Sequence, residues 1–315
     1  MKILVTGGCG YVGSKLIPLL LEKKHKIINI DIQWFGNYLT KHKNLINIKD
    51  DLANFEKYKI KKIDTVIHLA SVANDPMAEI DKNLSWETSA LNTMRLLEFL
   101  KKTKTRRFIY ASSGSVYGIK KEKRVKEDSK LEPISLYNKV KMVTERVLLS
   151  YEKYFEVFII RPATVCGYSP RMRLDVSVNA LTMSALNKNI INVFGGSQIR
   201  PNIHIDDMCD LYIKFLTISK KNTGIYNAGF ENSSIINVAN YIKKVTGSKI
   251  NVTNDKNDPR SYRLDSSKLL SIGFKPKKTY RDAVSELTEM HNSKLLKMSD
   301  KNYSLKWLKK ILKQK

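Results

Sequence analysis

The sequence predicts an α/β protein built on a doubly wound parallel sheet, with a smaller lobe in its C-terminal half. Three observations carry this. Short apolar runs alternate with helix-length segments through the first half of the chain. A glycine-rich turn stands between the first run and the first helix. After Gly167 the alternation gives way to shorter elements punctuated by Pro, Arg and Asn.

Taken in order, Lys2–Thr6, Lys26–Asp31, Thr65–Ala70, Arg107–Ser112 and Val157–Pro162 are runs rich in Ile, Val and Phe, as parallel strands buried on both faces should be. A further strand is expected just ahead of Asp51. Gly13–Lys24, Trp86–Lys102 and Tyr137–Phe155 have helical length, and strand–helix–strand spacing of this kind gives a parallel sheet. Ile225–Gly229 reads as a late strand that returns to the main sheet. Near the C-terminus, Leu305, Leu308 and Leu312 share one helical face, with Trp307 and Ile311 beside them. Lysines fill the opposite face and Ser304 is placed as N-cap. Such a basic amphipathic helix is expected to dock on its own protein or a partner subunit rather than on a membrane.

Composition narrows the function classes. Hydrophobic residues at 42% and charged residues at 27% over 315 residues exclude a disordered or collagen-like chain. The 56 Lys+Arg against 30 Asp+Glu give +26, which raises nucleic acid as a partner. Only 12 of those cations are Arg, however, and the 44 Lys are strewn along the chain. Lys is a point charge and Arg the bidentate phosphate reader, so the balance describes a solvated surface better than a recognition stripe. Cys9, Cys166 and Cys209 share no metal-like spacing, and their odd number fits a reducing cytoplasm. Met1 runs directly into Ile3-Leu4-Val5, so no signal peptide is expected. Leu16 to Leu21 falls far short of a membrane span.

Thr6-Gly7-Gly8-Cys9-Gly10-Tyr11-Val12-Gly13 has the context that gives a glycine motif meaning, since it follows a strand and opens a helix. Gly7 allows the tight turn, Gly10 with Tyr11 and Val12 lets the backbone approach a pyrophosphate, and Gly13 permits close packing. The helix N-terminus offers free N–H groups to phosphates. Asp31, at the end of the second strand, would accept from a ribose 2′-OH and repel a 2′-phosphate, which favours NAD over NADP. Asp51-Leu52 is placed to bracket an adenine, and Leu69, Ala70 and Ser71 leave room for the cofactor at a strand end. An ordinary βαβ turn is the bland alternative.

Tyr137 and Lys141 stand one helical turn apart. A free tyrosine, with pKa about 10, is a poor base at neutral pH; an ammonium nearby and the positive charge of oxidised nicotinamide are expected to lower that value. Ala111-Ser112-Ser113-Gly114-Ser115 lies at a strand end, where Ser113 can hold a substrate oxygen while Tyr137 exchanges its proton.

Over roughly residues 1–285 these features resemble the extended short-chain dehydrogenases/reductases that act on nucleotide sugars. The resemblance rests on Thr6–Gly13, His68-Leu69-Ala70-Ser71, the Ser113/Tyr137/Lys141 triad, Arg161-Pro162 and Arg200-Pro-Asn-Ile-His204-Ile-Asp206-Asp207. It implies a Rossmann NAD-binding domain over 1–166, a substrate lobe over 167–290 and an appended helix over 291–315. It also implies a homodimer paired through helices that include the one bearing Tyr137. Ser113 would polarise the sugar oxygen, Tyr137 would be the general base or acid, Lys141 would also hold the nicotinamide ribose, and Pro162 would flank the nicotinamide. Asn179 would touch the sugar-nucleotide phosphates, Val193 and Phe194 would border the base, and Arg200, Arg260 and Arg263 would clamp the diphosphate. A guanidinium fork suits such an anion on chemical grounds alone. Half of the arginines, Arg161, Arg171, Arg173, Arg200, Arg260 and Arg263, fall in or beside the expected lobe.

Departures refine the reaction. Sugar 4,6-dehydratases of this family carry Thr-Asp-Glu where this chain has Ser113-Gly114-Ser115, and loss of water needs those carboxylates. Ser89 and Thr164 replace asparagines of the galactose epimerases. The segment from Arg161 to Asp175 is similar to a branch involved in bacterial surface and capsule polysaccharides that includes GDP-heptose 4-dehydrogenases. The implied activity is NAD-dependent oxidation at C4 of a nucleotide-diphosphate sugar, ending in 4-epimerisation or in net 4-dehydrogenation. The rival class is a Rossmann-fold nucleic-acid-binding protein using the basic surface; the intact Ser113/Tyr137/Lys141 set favours the enzyme without nucleic acid, metal or membrane as partner.

Overall fold

The computed structural model describes residues 1–58, 60–253 and 262–313 of the chain. Its strands are, in chain order, β1 (Lys2–Thr6), β2 (Lys26–Asp31), β3 (Leu45–Lys49), β4 (Thr65–His68), β5 (Arg107–Ala111), β6 (Glu156–Pro162), β7 (Thr164–Cys166), β8 (Ile190–Phe194), β9 (Ile199–His204), β10 (Gly224–Ala228), β11 (Glu231–Ser234) and β12 (Lys249–Thr253). Seven of them form one sheet in the order β10-β6-β5-β4-β1-β2-β3, and every pairing in it is parallel. This is the doubly wound α/β fold that the alternating runs predict. The chain builds outward from β1 through β2 to β3, then returns to β4 on the other side, so the strand order reverses between β1 and β4.

Successive residues of the central strands enter two different apolar clusters, which is why the runs are continuously hydrophobic. Ile3, Val5, Ile67, Ile109, Phe158 and Ile160 face one cluster. Leu4, Val66, Phe108, Tyr110, Val157 and Ile159 face the other. A strand's side chains alternate between faces, so a sheet covered by helices on both sides needs apolar residues at every position. Edge strand β3 is the exception: Ile46 is exposed and Asn47 only half-buried.

Two helical segments differ from their expected outlines. Trp86–Lys102 is not one helix: a short helix, Lys82–Trp86, runs into a single π-helical turn, Glu87–Leu91, before the α-helix Asn92–Lys101. The Ser89 carbonyl in this turn accepts from the Thr93 hydroxyl four residues on, at 2.8 Å, and from the Thr144 hydroxyl of another helix at 3.2 Å. The helix carrying Tyr137 spans Leu136–Ser150 and gives way to turns before buried Phe155.

β10 pairs with β6 along Gly224–Ala228, so the late strand joins the main sheet at its edge. The remaining strands make two small sheets, β11-β9-β7 and β12-β8. Around the second, Val178, Ala185, Ile191, Val193, Val238, Ile242 and Val284 form a separate core. The helix Ser304–Leu312 docks on the protein: Leu308 is fully buried with Val72 and Met77, flanked by Trp34 and Phe35. Ser304 opens this helix one residue after the cap position, which Tyr303 holds; Asp175 accepts from the Ser304 N–H at 3.0 Å in place of a side-chain cap. No helix among the described residues is long and apolar enough to cross a membrane.

Candidate active site

The carboxyl ends of the central strands open into one cavity of about 650 Å³ at the reversal between β1 and β4, the place where open α/β sheets bind ligands. The turn after β1 forms one wall. Gly7 has φ +73°, and a Cβ there would lie 2.6 Å from the Ala70 nitrogen, so only glycine lets the turn sit against the end of β4. A Cβ on Gly13 would fall 2.5 Å from the Gly8 Cα, the close packing expected of that position. At Gly10 an added Cβ meets only the Gly7 carbonyl oxygen, at 3.1 Å, so the backbone stays open to a phosphate.

Asp31 ends β2 with one carboxylate oxygen accepting from the Cys9 N–H at 2.8 Å and the other from the Gln33 N–H at 2.6 Å. Burial raises its pKa, while these bonds and the charge of Arg171 oppose the rise. Tyr11, Val12, Asp51, Leu52, Leu69, Ala70, Ser71 and Pro162 line the same cavity. A dinucleotide fits this set: open backbone at Gly10, N–H groups at the start of the helix Gly13–Glu22, and a carboxylate placed for a ribose.

Tyr137 and Lys141 line this cavity too. Ser135 starts their helix, its Oγ accepting from the Asn138 N–H at 3.2 Å while its hydroxyl donates to Asp75. The Lys141 ammonium lies 4.9 Å from the Tyr110 ring centre and donates to the Ala111 carbonyl at 2.6 Å. Ser113 shares a 2.7 Å hydrogen bond with the Ser115 hydroxyl, which donates to Asn138 Oδ1 at 2.5 Å. Taken together, the protein's own groups do not lower the Tyr137 pKa, which leaves that part of the expectation to the positive charge of oxidised nicotinamide. Burial, then the charge of Asp75, pushes Tyr137 up to about 12 against the pull of a hydrogen bond to Ser113. Burial takes Lys141 down to about 7, and only the Glu145 carboxylate raises it. Desolvation wins because Lys141 is buried and Tyr137 half-buried at the cavity wall, where charge is disfavoured on either.

A family model described as the NAD dependent epimerase/dehydratase family matches residues 3–229. The chain belongs to that family. It is 29% identical over 269 residues to the uncharacterized UDP-glucose epimerase YtcB of Bacillus subtilis (strain 168), spanning 79% of this chain and 83% of the relative. It is 24% identical over 327 residues to the UDP-glucose 4-epimerase of Lactobacillus helveticus, spanning 93% and 98%. Among solved structures, the UDP-glucuronic acid 4-epimerase from Bacillus cereus, in complex with UDP-glucuronic acid and NAD, superposes with a TM-score of 0.79 at 27% identity, covering 92% of this chain and all of that one.

Of the residues assigned to a sugar nucleotide, Ser113, Thr164 and Arg200 line the cavity. Others do not. Asn179 is fully buried in a structural knot: its oxygen accepts from the Gly167 N–H at 3.0 Å, and its amide donates to the Tyr11 hydroxyl at 3.1 Å and the Arg173 carbonyl at 2.9 Å. Val193 belongs to the core of the small lobe, and neighbouring Phe194 points to solvent because side chains alternate along β8. Arg263 is exposed outside the cavity wall, and Arg260 lies outside the described residues. Arg161, read with the arginine-rich lobe, is a core residue: it pairs with Glu145 at 2.7 Å and donates to the Tyr117 hydroxyl at 2.7 Å.

Sequence reasoning missed several wall residues. Arg171 and Arg173, counted among the arginines of the expected lobe but given no role of their own, enter the cavity. Asp75 also lines it, on a helical turn capped by Asn74 with Pro76 behind; an Asn-Asp-Pro step after a strand end is a helix-start signature. Phe35 and Ser304 line it with no local signal at all.

Proposed function

We propose that this protein oxidises C4 of a nucleotide-diphosphate sugar with NAD and returns the hydride to the opposite face of the 4-keto sugar, which makes it a 4-epimerase. One observation supports this above the others: Ser113, Tyr137 and Lys141 share a single cavity with the glycine turn and Asp31. NAD, when bound, supplies the hydride acceptor. Gly7, Gly10 and the helix start would hold its phosphates, Asp31 would accept from a ribose hydroxyl, and Pro162 would flank the nicotinamide. Ser113 would hold the 4-oxygen of the sugar. Tyr137 would take the 4-OH proton as the C4–H bond breaks and return it when the bond reforms. Lys141 would stabilise the phenolate and orient the nicotinamide ribose, with Thr164 and Arg200 on the sugar-nucleotide side. The relatives named above as UDP-sugar 4-epimerases support the same outcome. Ser113-Gly114-Ser115 carries no carboxylate, which disfavours dehydration.

Net 4-dehydrogenation of a GDP-heptose-type sugar is the second reading, and the similarity of the segment from Arg161 to Asp175 supports it. Incubation with UDP- and GDP-sugars, followed by mass and NMR analysis, separates the two. Unchanged mass with inverted C4 supports the epimerase. A product lighter by two hydrogens replaces it with the dehydrogenase. No turnover of any nucleotide sugar removes both.

A further inference from the structure

Residues 299–312 tie together two walls of the cavity. On one side the Leu174 N–H donates to the Asn302 carbonyl at 2.9 Å, and Asp175 accepts from the Ser304 N–H at 3.0 Å. On the other the Trp307 indole N–H donates to the Trp34 carbonyl at 2.6 Å, and Leu308 is buried with Val72 and Met77. Between them the Ser304 hydroxyl accepts from an Arg171 terminal nitrogen at 2.9 Å. The Arg171 guanidinium is stacked 4.0 Å from the Phe35 ring centre, and Arg171, Phe35 and Ser304 all line the cavity.

Arg171 is poorly matched by the protein. It is buried, and its Nε has no hydrogen-bond partner among the described residues. The Asp175 carboxylate is already engaged by Arg173 Nε at 3.0 Å and by the Ser304 N–H. A buried guanidinium with a free donor beside a second cation is unfavourable on its own and becomes favourable once an anion arrives. Ser14 in the first turn of the helix Gly13–Glu22 accepts the Arg171 N–H at 3.1 Å, so the arginine is anchored next to the phosphate-binding turn.

We propose that Arg171 binds a phosphate of the dinucleotide, and that the helix Ser304–Leu312 is a clasp that holds Arg171 in place and slows cofactor release. The clasp lies beyond the stretch matched by the family model. The proposal rests on the NAD reading of the cavity and is independent of which sugar is turned over. Slow release suits an enzyme that must keep its reduced cofactor until the hydride is returned.

The test uses the full chain. NAD affinity is measured by calorimetry, and NADH release by fluorescence during a chase with excess NAD. Loss of a charge-assisted bond is worth about tenfold or more in affinity, so Arg171→Gln should weaken NAD binding by about that factor. Arg171→Lys should fall between it and the unmodified protein, and Ser304→Ala, which removes one hydroxyl, should speed NADH release. Should Arg171→Gln fail to fold, the lysine and Ser304→Ala variants carry the test. Unchanged NAD affinity and NADH release in the folded variants overturn the proposal. So does an Arg171→Gln protein that loses affinity for UDP- and GDP-sugars but not for NAD. A protein that shows the predicted NAD dependence yet turns over no nucleotide sugar upholds the clasp and removes both the 4-epimerase and the 4-dehydrogenase readings.

Discussion

The Lys141 ammonium lies 5.8 Å from the centre of the Tyr137 ring, yet it directs its hydrogen bond to the Ala111 carbonyl rather than to the phenol. Without cofactor, burial holds Tyr137 near 12 and Lys141 near 7, so the phenol is neutral at physiological pH. A positively charged nicotinamide in the same cavity stabilises the phenolate. Phenolate absorbance should therefore appear at lower pH in the NAD-loaded protein than in the NAD-free protein, and Tyr137→Phe should abolish the difference. Identical titrations would remove Tyr137 as the base.

Tyr137→Phe should lower turnover of a nucleotide sugar by about 10²- to 10⁴-fold, the range that a positioned proton-transfer group supplies. NAD affinity should stay within a few-fold, because the phenol oxygen is lost while the ring remains. Full activity in this variant would overturn the mechanism.

Ser113→Ala should reduce kcat by about 10²-fold, as removal of a preorganised donor does. The effect should exceed that of Ser115→Ala, since Ser113 is the residue proposed to hold the 4-oxygen and Ser115 is its hydrogen-bonded neighbour. Steady-state kinetics on both variants check the order.

Arg161→Met should destabilise the fold by about 3–5 kcal/mol, because it strands the buried Glu145 carboxylate. Adding Glu145→Leu should recover much of that loss, whereas an arginine bound to substrate would show no such rescue. Urea unfolding of the single and double variants measures the difference.

His68 lies buried between the Thr6 and Thr93 hydroxyls, at 2.7 and 2.8 Å, and burial takes its pKa from 6.5 to about 3. Between those values the unfolded chain binds the proton and the folded chain does not, so stability should fall as pH drops from 6.5 toward 3. The slope from this one group reaches about 1.4 kcal/mol per pH unit. His68→Gln should flatten the acid limb of a stability profile; an unchanged limb would assign it to other groups.

The central strands were legible because a sheet buried on both faces demands an unbroken apolar run. The glycine turn and the Tyr137–Lys141 pair were legible because their geometry is local, encoded in spacings of a few residues. Edge strand β3 was weaker for the converse reason: one flank lacks a partner strand, so Asn47 and exposed Ile46 are tolerated there. The π-helical turn at Glu87–Leu91 was hidden, since the hydroxyl of Thr144 that braces it lies 55 residues away. Arg171 and Ser304 meet across 133 residues, and no periodicity reports such a meeting. Asn179 shows the opposite failure. The family resemblance assigns its side chain to the sugar-nucleotide phosphates, whereas here it bonds three groups of its own chain.

The pairing of β10 with β6 has a consequence for how the chain is made. While the segment between them is still being synthesised, β6 is an outer strand with its hydrogen-bonding edge open, although its residues are apolar on both faces. An exposed, flat, hydrophobic edge is a template for pairing with other chains. A fragment cut after Pro162 would keep that edge open permanently and should aggregate, whereas one extending past Ala228 would carry its own cover.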